Sequence, residues 1–230
     1  MDVVSIYEDC TREMFAFPEF SLGPHTSYGY QKDPKHLAFT LSRYKFCSKM
    51  LSGKSSVLEI GCGDGFGVPL VAEQVKNLLC IDWDEKQILG NQRRLKWLGN
   101  TSFRTFDATQ NALSGKFDAA YAIDVIEHLD PEMENTFMDN VCKVLKENGL
   151  LLIGTPNKSA SQYCSKPEVA DQHINLYDHQ RLRCLLSSYF ENVFMFGMND
   201  EVLHTGYLPM AHYLWGIGVG CLSKDDQIGT

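Results

Sequence analysis

The 230-residue sequence has no C-x-x-C pair, no excess of basic residues, no long apolar run, no internal repeat and no low-complexity tract. Each absence removes a class of protein. The eight cysteines stand at 10, 47, 62, 80, 142, 164, 184 and 221. That scatter fits neither a zinc ribbon nor a disulfide scaffold, so they read as reduced, mostly buried thiols of a cytoplasmic protein. Lys plus Arg number 21 against 29 Asp plus Glu, a formal charge of −8. The balance opposes broad electrostatic capture of nucleic acid or an anionic membrane and leaves room only for a local basic site. The most apolar late stretch, 213–221, is about half of the ~20 residues that a membrane-crossing helix needs. The opening Met1-Asp2-Val3-Val4 has no basic region followed by an apolar one, so neither secretion nor a membrane span is expected.

What is present is enough apolar sequence, 44% of the chain, for one well-buried core and little more. Residues 1–34 read as an N-terminal flap rich in Phe, Tyr, Pro and Gly. Its Phe15, Phe17, Phe20, Tyr28 and Tyr30 are expected to pack on the body, with some lining an acceptor pocket. Residues 35–230 read as one domain in which helical and strand periods alternate. Strand candidates lie at 56–60, 77–81, 101–106, 117–123, 149–154, 192–197 and 213–221, and helix candidates include 84–97 and 131–146. Such alternation predicts an α/β fold with a doubly wound, seven-stranded, mostly parallel sheet, helices on both faces, and an antiparallel last strand.

The sharpest local signal is Val57-Leu58-Glu59-Ile60-Gly61-Cys62-Gly63-Asp64-Gly65-Phe66-Gly67, an apolar strand running into a glycine-dense turn. A dinucleotide fold is the first thought, but the third glycine of G-x-G-x-x-G would fall on Phe66, and Glu59 and Asp64 surround the loop with negative charge. A cationic ligand fits better. Gly53-Lys54-Ser55 is no P-loop, because the loop's first glycine would fall on Ser48 and the tripeptide precedes the strand.

These residues resemble the first motif of the class I S-adenosylmethionine-dependent methyltransferases, and three further features match in order over roughly 54–221. The resemblance implies S-adenosyl-L-methionine as cofactor. Glu59, Gly61, Gly63 and Gly65 form the loop around it. Asp82, ending the second strand, takes the ribose hydroxyls, as an acceptor-only carboxylate suits a diol. Trp83 is a candidate to pack on the adenine, though a core tryptophan would read the same; the resemblance implies Asp107 and Ala108 at the adenine amino group, and Asp124 at the end of the fourth strand, where the methyl is transferred. A helix N-cap or a solvated turn would equally explain Asp84 or Asp107 taken alone.

Beyond the fourth strand, Asp124-Val125-Ile126-Glu127-His128 is followed by Thr155-Pro156-Asn157 and by His173 in Gln172-His173-Ile174-Asn175-Leu176-Tyr177. If the chain turns helical after the strand, Asp124 shares a face with Glu127 and His128. The D-x-x-E-H pattern plus a later His resembles small-RNA 3′-terminal 2′-O-methyltransferases, whose E-x-x-E-H and later His hold a divalent ion on a terminal diol. It is also similar to ubiquinone-biosynthesis O-methyltransferases acting on catechol-like acceptors. The resemblance implies Asp124, Glu127, His128 and His173 as ligands of Mg²⁺, Mn²⁺ or Fe²⁺, with Asp in place of the usual first Glu. A metal-free site, with His128 or His173 as general base assisted by Glu127, stays open beside it.

The expectation is a methyltransferase acting on a hydroxyl of a small molecule, a sugar, diol or catechol-like compound. The alternatives are N-methylation of an amine, methylation of RNA, which the acidic charge disfavours, and a cofactor-binding module without turnover. The acceptor's identity and the oligomeric state are not legible in the sequence.

Overall fold

The computed structural model describes residues 3–161 and 172–222. Eight strands form one sheet in the order β3-β2-β1-β4-β5-β8-β6-β7. The strands are β1 (Val57–Ile60), β2 (Leu78–Asp82), β3 (Thr101–Thr105), β4 (Phe117–Ile123), β5 (Leu145–Pro156), β6 (Phe190–Asn199), β7 (Val202–His204) and β8 (Tyr213–Cys221). Strands β1 to β5 run parallel, and β8 lies antiparallel between β5 and β6. All seven expected strands are there. The eighth, β7, arises because Asp200 takes a left-handed φ of 51° and folds the chain tightly back, pairing Asn199 with Val202.

Helices α1 (Val3–Ala16) and α2 (Pro24–Lys32) precede the domain proper. Within it run α3 (Lys35–Met50), α4 (Val68–Ala72), α5 (Glu85–Arg94), α6 (Glu134–Val144), α7 (Lys158–Ser161) and α8 (His179–Ser187). Alternate strand residues point to opposite faces, so one V-L-E-I strand feeds two cores. Leu58 and Ile60 join Phe137, Met138 and Val141 of α6 and Leu182 and Leu186 of α8. Val57 joins Tyr44, Cys47 and Leu51 of the α3 region, Val68 and Val71 of α4, and Ile88 of α5 on the other face. The glycine-rich run of β8 is a packing device: a Cβ at Gly216 would stand 2.3 Å from Leu186 and one at Gly218 2.4 Å from Phe190. Only bare backbone lets α8 and the chain after it lie that close.

The expected packing of the flap's aromatics is not what the structure contains. Phe15 and Phe17 are 88% and 79% exposed, and Phe20, Tyr28 and Tyr30 are exposed as well. Polar contacts from α2 hold the flap instead. The cysteines Cys47, Cys62 and Cys80 are buried free thiols, Cys142 and Cys221 are half-buried, and Cys184 is exposed. Cys164 lies outside the described residues. Among the described residues no helix is long and apolar enough to cross a membrane.

Candidate active site

The glycine loop sits where β1 ends beside β2. The amides of Gly61 and Cys62 both donate to the Ile81 carbonyl, at 2.8 and 3.1 Å. Gly61, Gly63 and Gly65 have φ of 74°, 51° and 70°, a left-handed conformation that costs other residues about 1–2 kcal/mol each. A Cβ at Gly61 would meet Val125 at 2.4 Å, and one at Gly67 would lie 2.0 Å from the Tyr44 ring. At Gly63 nothing lies within 4 Å, so this is where the loop backbone faces open space.

Asp82 is buried at the end of β2; its carboxylate accepts from the Gly63 amide at 2.8 Å and from the Asp84 amide at 2.9 Å. It thus fastens the loop while keeping acceptor capacity for a ligand. Trp83 next to it is 76% exposed, which excludes a core role. Asp84 is the N-cap of α5, accepting from Lys86 N at 2.8 Å. Exposed Asp107 folds back on Thr109 at 2.8 and 2.6 Å, and the Ala108 carbonyl accepts from Asn140.

Glu59, expected as a cofactor ligand, is 1% exposed; one oxygen accepts from Tyr44 at 2.8 Å and the other from the Cys80 thiol at 3.3 Å. Its side chain points into the α3 side of the sheet, because register along β1 alternates. Burial raises its pKa, and Tyr44 acts in the opposite direction. Glu59 is therefore a buried support beneath the loop rather than a group lining its open face. Asp64 is likewise engaged, accepting from the Thr26 amide at 2.7 Å and its hydroxyl at 2.9 Å. Arg94 of α5 donates to the Asp64 carbonyl at 2.9 Å and to Asn91 at 2.6 Å.

On the acceptor side the chain does not turn α-helical after β4. Asp124 takes φ 55° with its amide on the Gly154 carbonyl at 3.0 Å, and a short 3-10 turn, Ile126–His128, follows. Candidate ligand atoms of Glu127, His128 and His173 lie within 4.8 Å of one another. Asp124, expected as a fourth ligand, is not in that group. Its Oδ2 lies 2.5 Å from Nη1 of Arg43, whose guanidinium stacks 4.0 Å over the Tyr213 ring.

Glu127 is fully buried, with Oε2 accepting from Thr155 at 3.0 Å while Oε1 has no partner. Burial, with Asp124 adding, pushes its pKa up to about 8. His173 is half-buried, and burial and the neighbouring His128 lower its pKa against the pull of Asp124, which favours the neutral ring. Its ring meets His128 edge-on with centroids 5.0 Å apart. The Gln172 carbonyl engages Nδ1 of His128 at 2.9 Å, leaving Nε2 to face a ligand.

Residues that sequence reasoning missed hold these groups in place. Asn175 donates its amide to the Glu127 carbonyl at 3.0 Å and its side chain to Tyr177 OH at 3.0 Å. Tyr177 OH donates to Glu134, and Arg181 bridges Glu134 at 2.7 Å and Asn175 at 2.6 Å. The network ties the segment carrying His173 to the turn carrying Glu127. Asn175 and Tyr177 stand in the motif already noticed, but nothing local marks Arg43, Glu134 or Arg181.

Comparison with known proteins gives the family and the fold. The chain matches the family described as methyltransferase domain over residues 30–189. It is 29% identical over 103 residues to a probable S-adenosylmethionine-dependent methyltransferase of Mycolicibacterium smegmatis, covering 44% of this chain and 38% of that protein. A second such protein, of Mycobacterium tuberculosis, is 29% identical over 108 residues, covering 44% of this chain and 36% of its own length. The chain thus matches well under half the length of these relatives. Among solved structures, the methyltransferase domain of bacterial CtHen1 superposes with TM-score 0.67 at 16% identity, covering 79% of this chain and 98% of that one. The N-methyltransferase NodS of Bradyrhizobium japonicum with S-adenosyl-l-homocysteine gives 0.62 at 19% identity, covering 86% and 94%. At these identities the likeness is one of fold.

Proposed function

The chain belongs to the methyltransferase domain family, and from that premise we propose that it transfers the methyl group of S-adenosylmethionine to a hydroxyl of a small diol or catechol-like acceptor, assisted by a divalent ion. The cofactor supplies a sulfonium-bound methyl, the electrophile of an in-line displacement. The chain's task is to align the nucleophile and relieve it of its proton.

On the cofactor side, the open backbone at Gly63 gives a ligand close approach. Asp82 offers remaining acceptor capacity to a ribose diol, exposed Trp83 an indole face for a purine, and Asp107 its second oxygen for an adenine amino group. Glu59 acts only through the loop that it supports.

On the acceptor side, Glu127, His128 and His173 would hold the ion. The observation carrying this is the unpartnered Oε1 of fully buried Glu127 beside two imidazoles. A buried carboxylate oxygen without a donor is costly unless a cation or proton completes it. One carboxylate and two imidazoles suit Mg²⁺, Mn²⁺ or Fe²⁺, whereas structural zinc sites favour thiolates. Such an ion lowers the pKa of a hydroxyl bound to it. His173, whose neutral form burial favours, can either ligate or accept a proton, so a metal-free general-base mechanism is the second reading.

The test is methyl transfer from labelled S-adenosylmethionine to diol, catechol and amine acceptor sets, with and without chelator. Transfer to a diol or catechol that chelation abolishes and Mn²⁺ restores fits the reading. Chelator-resistant transfer that His173→Ala removes means the metal-free version. Transfer to amines alone refutes hydroxyl methylation.

A further inference from the structure

Arg43 holds one oxygen of the Asp124 carboxylate, Oδ2, while Oδ1 is buried without a partner, and Asp124 stands outside the group formed by Glu127, His128 and His173. Resting on the metal reading above, we propose that Arg43 holds Asp124 out of the cluster, so that Glu127, His128 and His173 alone bind the ion.

Arg43 projects from α3, a helix otherwise packed on the sheet through Tyr44 and Cys47. Its side chain is 12% exposed and meets the Asp124 carboxylate at 2.5 Å. The Tyr213 ring of β8 lies 4.0 Å from the guanidinium and packs on it. The Asp124 backbone is committed as well, with its left-handed φ and its amide on Gly154. Turning Asp124 toward Glu127 would strip the charge partner from a guanidinium removed from solvent, an unfavourable exchange.

Two consequences follow for the acceptor. One carboxylate with a divalent ion leaves a net positive charge, where two carboxylates would leave none. An ion held by Glu127, His128 and His173 alone would leave room in a six-coordinate shell for both oxygens of a chelating acceptor. Arg43 is thus a positioning residue that sets the charge and coordination of the site without touching the ion, and it favours a deprotonated, bidentate oxygen acceptor over a neutral monodentate one.

The experiment is Mn²⁺ titration of the full chain, followed by the electron paramagnetic resonance of free Mn²⁺, for wild type, Asp124→Asn, Arg43→Met and the double variant. Thermal melts check folding. Asp124→Asn, nearly isosteric, is expected to bind Mn²⁺ within about twofold of wild type, while His173→Ala loses about tenfold or more. Arg43→Met frees Asp124 to ligate and is expected to bind more tightly, about fivefold or more, a gain that the double variant cancels. A purely structural Arg43 would give no gain. Loss of about tenfold in Asp124→Asn alone would make Asp124 a ligand and overturn the inference, as would an Arg43→Met protein that folds but gains nothing. If Arg43→Met fails to fold, the Asp124→Asn result decides alone. Wild type that binds S-adenosylhomocysteine but no Mn²⁺ would overturn the metal reading itself, and this inference with it.

Discussion

Thr26 and Asp64, 38 positions apart, are joined by two hydrogen bonds of 2.7 and 2.9 Å that fasten the flap to the glycine loop. The carboxylate caps the first turn of α2 from across the chain, where helix amides lack partners and the dipole favours negative charge. Gly23 makes the approach possible, since a Cβ there would lie 2.7 Å from Asp64. His25 adds a 2.9 Å contact to Gln87 of α5.

Asp64→Ala should release α2, at a cost of about 0.5–2 kcal/mol typical of a lost cap. Limited proteolysis should cut near residues 17–34 faster than in wild type, and calorimetry should show weaker S-adenosylhomocysteine binding. An unchanged cleavage pattern would mean that the flap is held by something else.

Two glycine variants separate ligand approach from packing. Gly63→Ala adds a methyl to open space, so strain of about 1–2 kcal/mol should lower Tm by only a few degrees. S-adenosylhomocysteine affinity should nevertheless fall sharply. Gly67→Ala drives a Cβ into the Tyr44 ring and should unfold or badly destabilise the protein. Wild-type cofactor affinity in Gly63→Ala would remove the open face as the binding surface.

Glu127 gives the ion-free protein a defined pH response. Its carboxyl is raised from an ordinary 4.5 to about 8, chiefly by burial. Between those values the unfolded chain ionises this group while the folded chain keeps the proton. Stability therefore declines as pH rises across the window and levels off above about 8. Glu127→Gln should flatten that part of the profile and be the more stable protein at pH 8, measured by urea unfolding in chelator. The same proton competes with a cation, so Mn²⁺ affinity in wild type should increase with pH across the window. Parallel stability profiles for the two proteins would show that Glu127 is ionised without metal.

Arg181→Met should loosen His173 without touching it. The side chain is 40% exposed, so the stability loss should be small, while its bonds to Glu134 and Asn175 vanish. Mn²⁺ affinity should fall about tenfold, as for other groups that orient ligands from behind. S-adenosylhomocysteine affinity should stay as in wild type, since the network lies on the acceptor side. Equal losses of both ligands would point to general unfolding instead.

Strand alternation, the glycine loop and the acids ending β2 and β4 were all legible in the sequence. So was the Glu127-His128…His173 grouping, although it depended on a family pattern rather than on spacing. Burial on both faces forces near-continuous apolar strands, and left-handed turns select glycine, so both leave marks in neighbouring letters. Glu59 shows the limit: its position in the motif is clear, yet the two-residue period of β1 turns its side chain toward Tyr44 and Cys80. The exposed flap aromatics show another, because composition does not tell which helix finds a partner.

The sequence by itself determined the parallel sheet, the loop at its carboxyl edge and the residue types gathered there, because these follow from local periodicity and backbone geometry. Only the tertiary structure decided which charges meet. Arg43 and Asp124 are 81 positions apart, and their pairing depends on α3 crossing the end of β4. Electrostatic partnership falls off with distance in space and is indifferent to distance along the chain. For that reason the pairing of charges at the end of β4, unlike the fold, had to await the folded molecule.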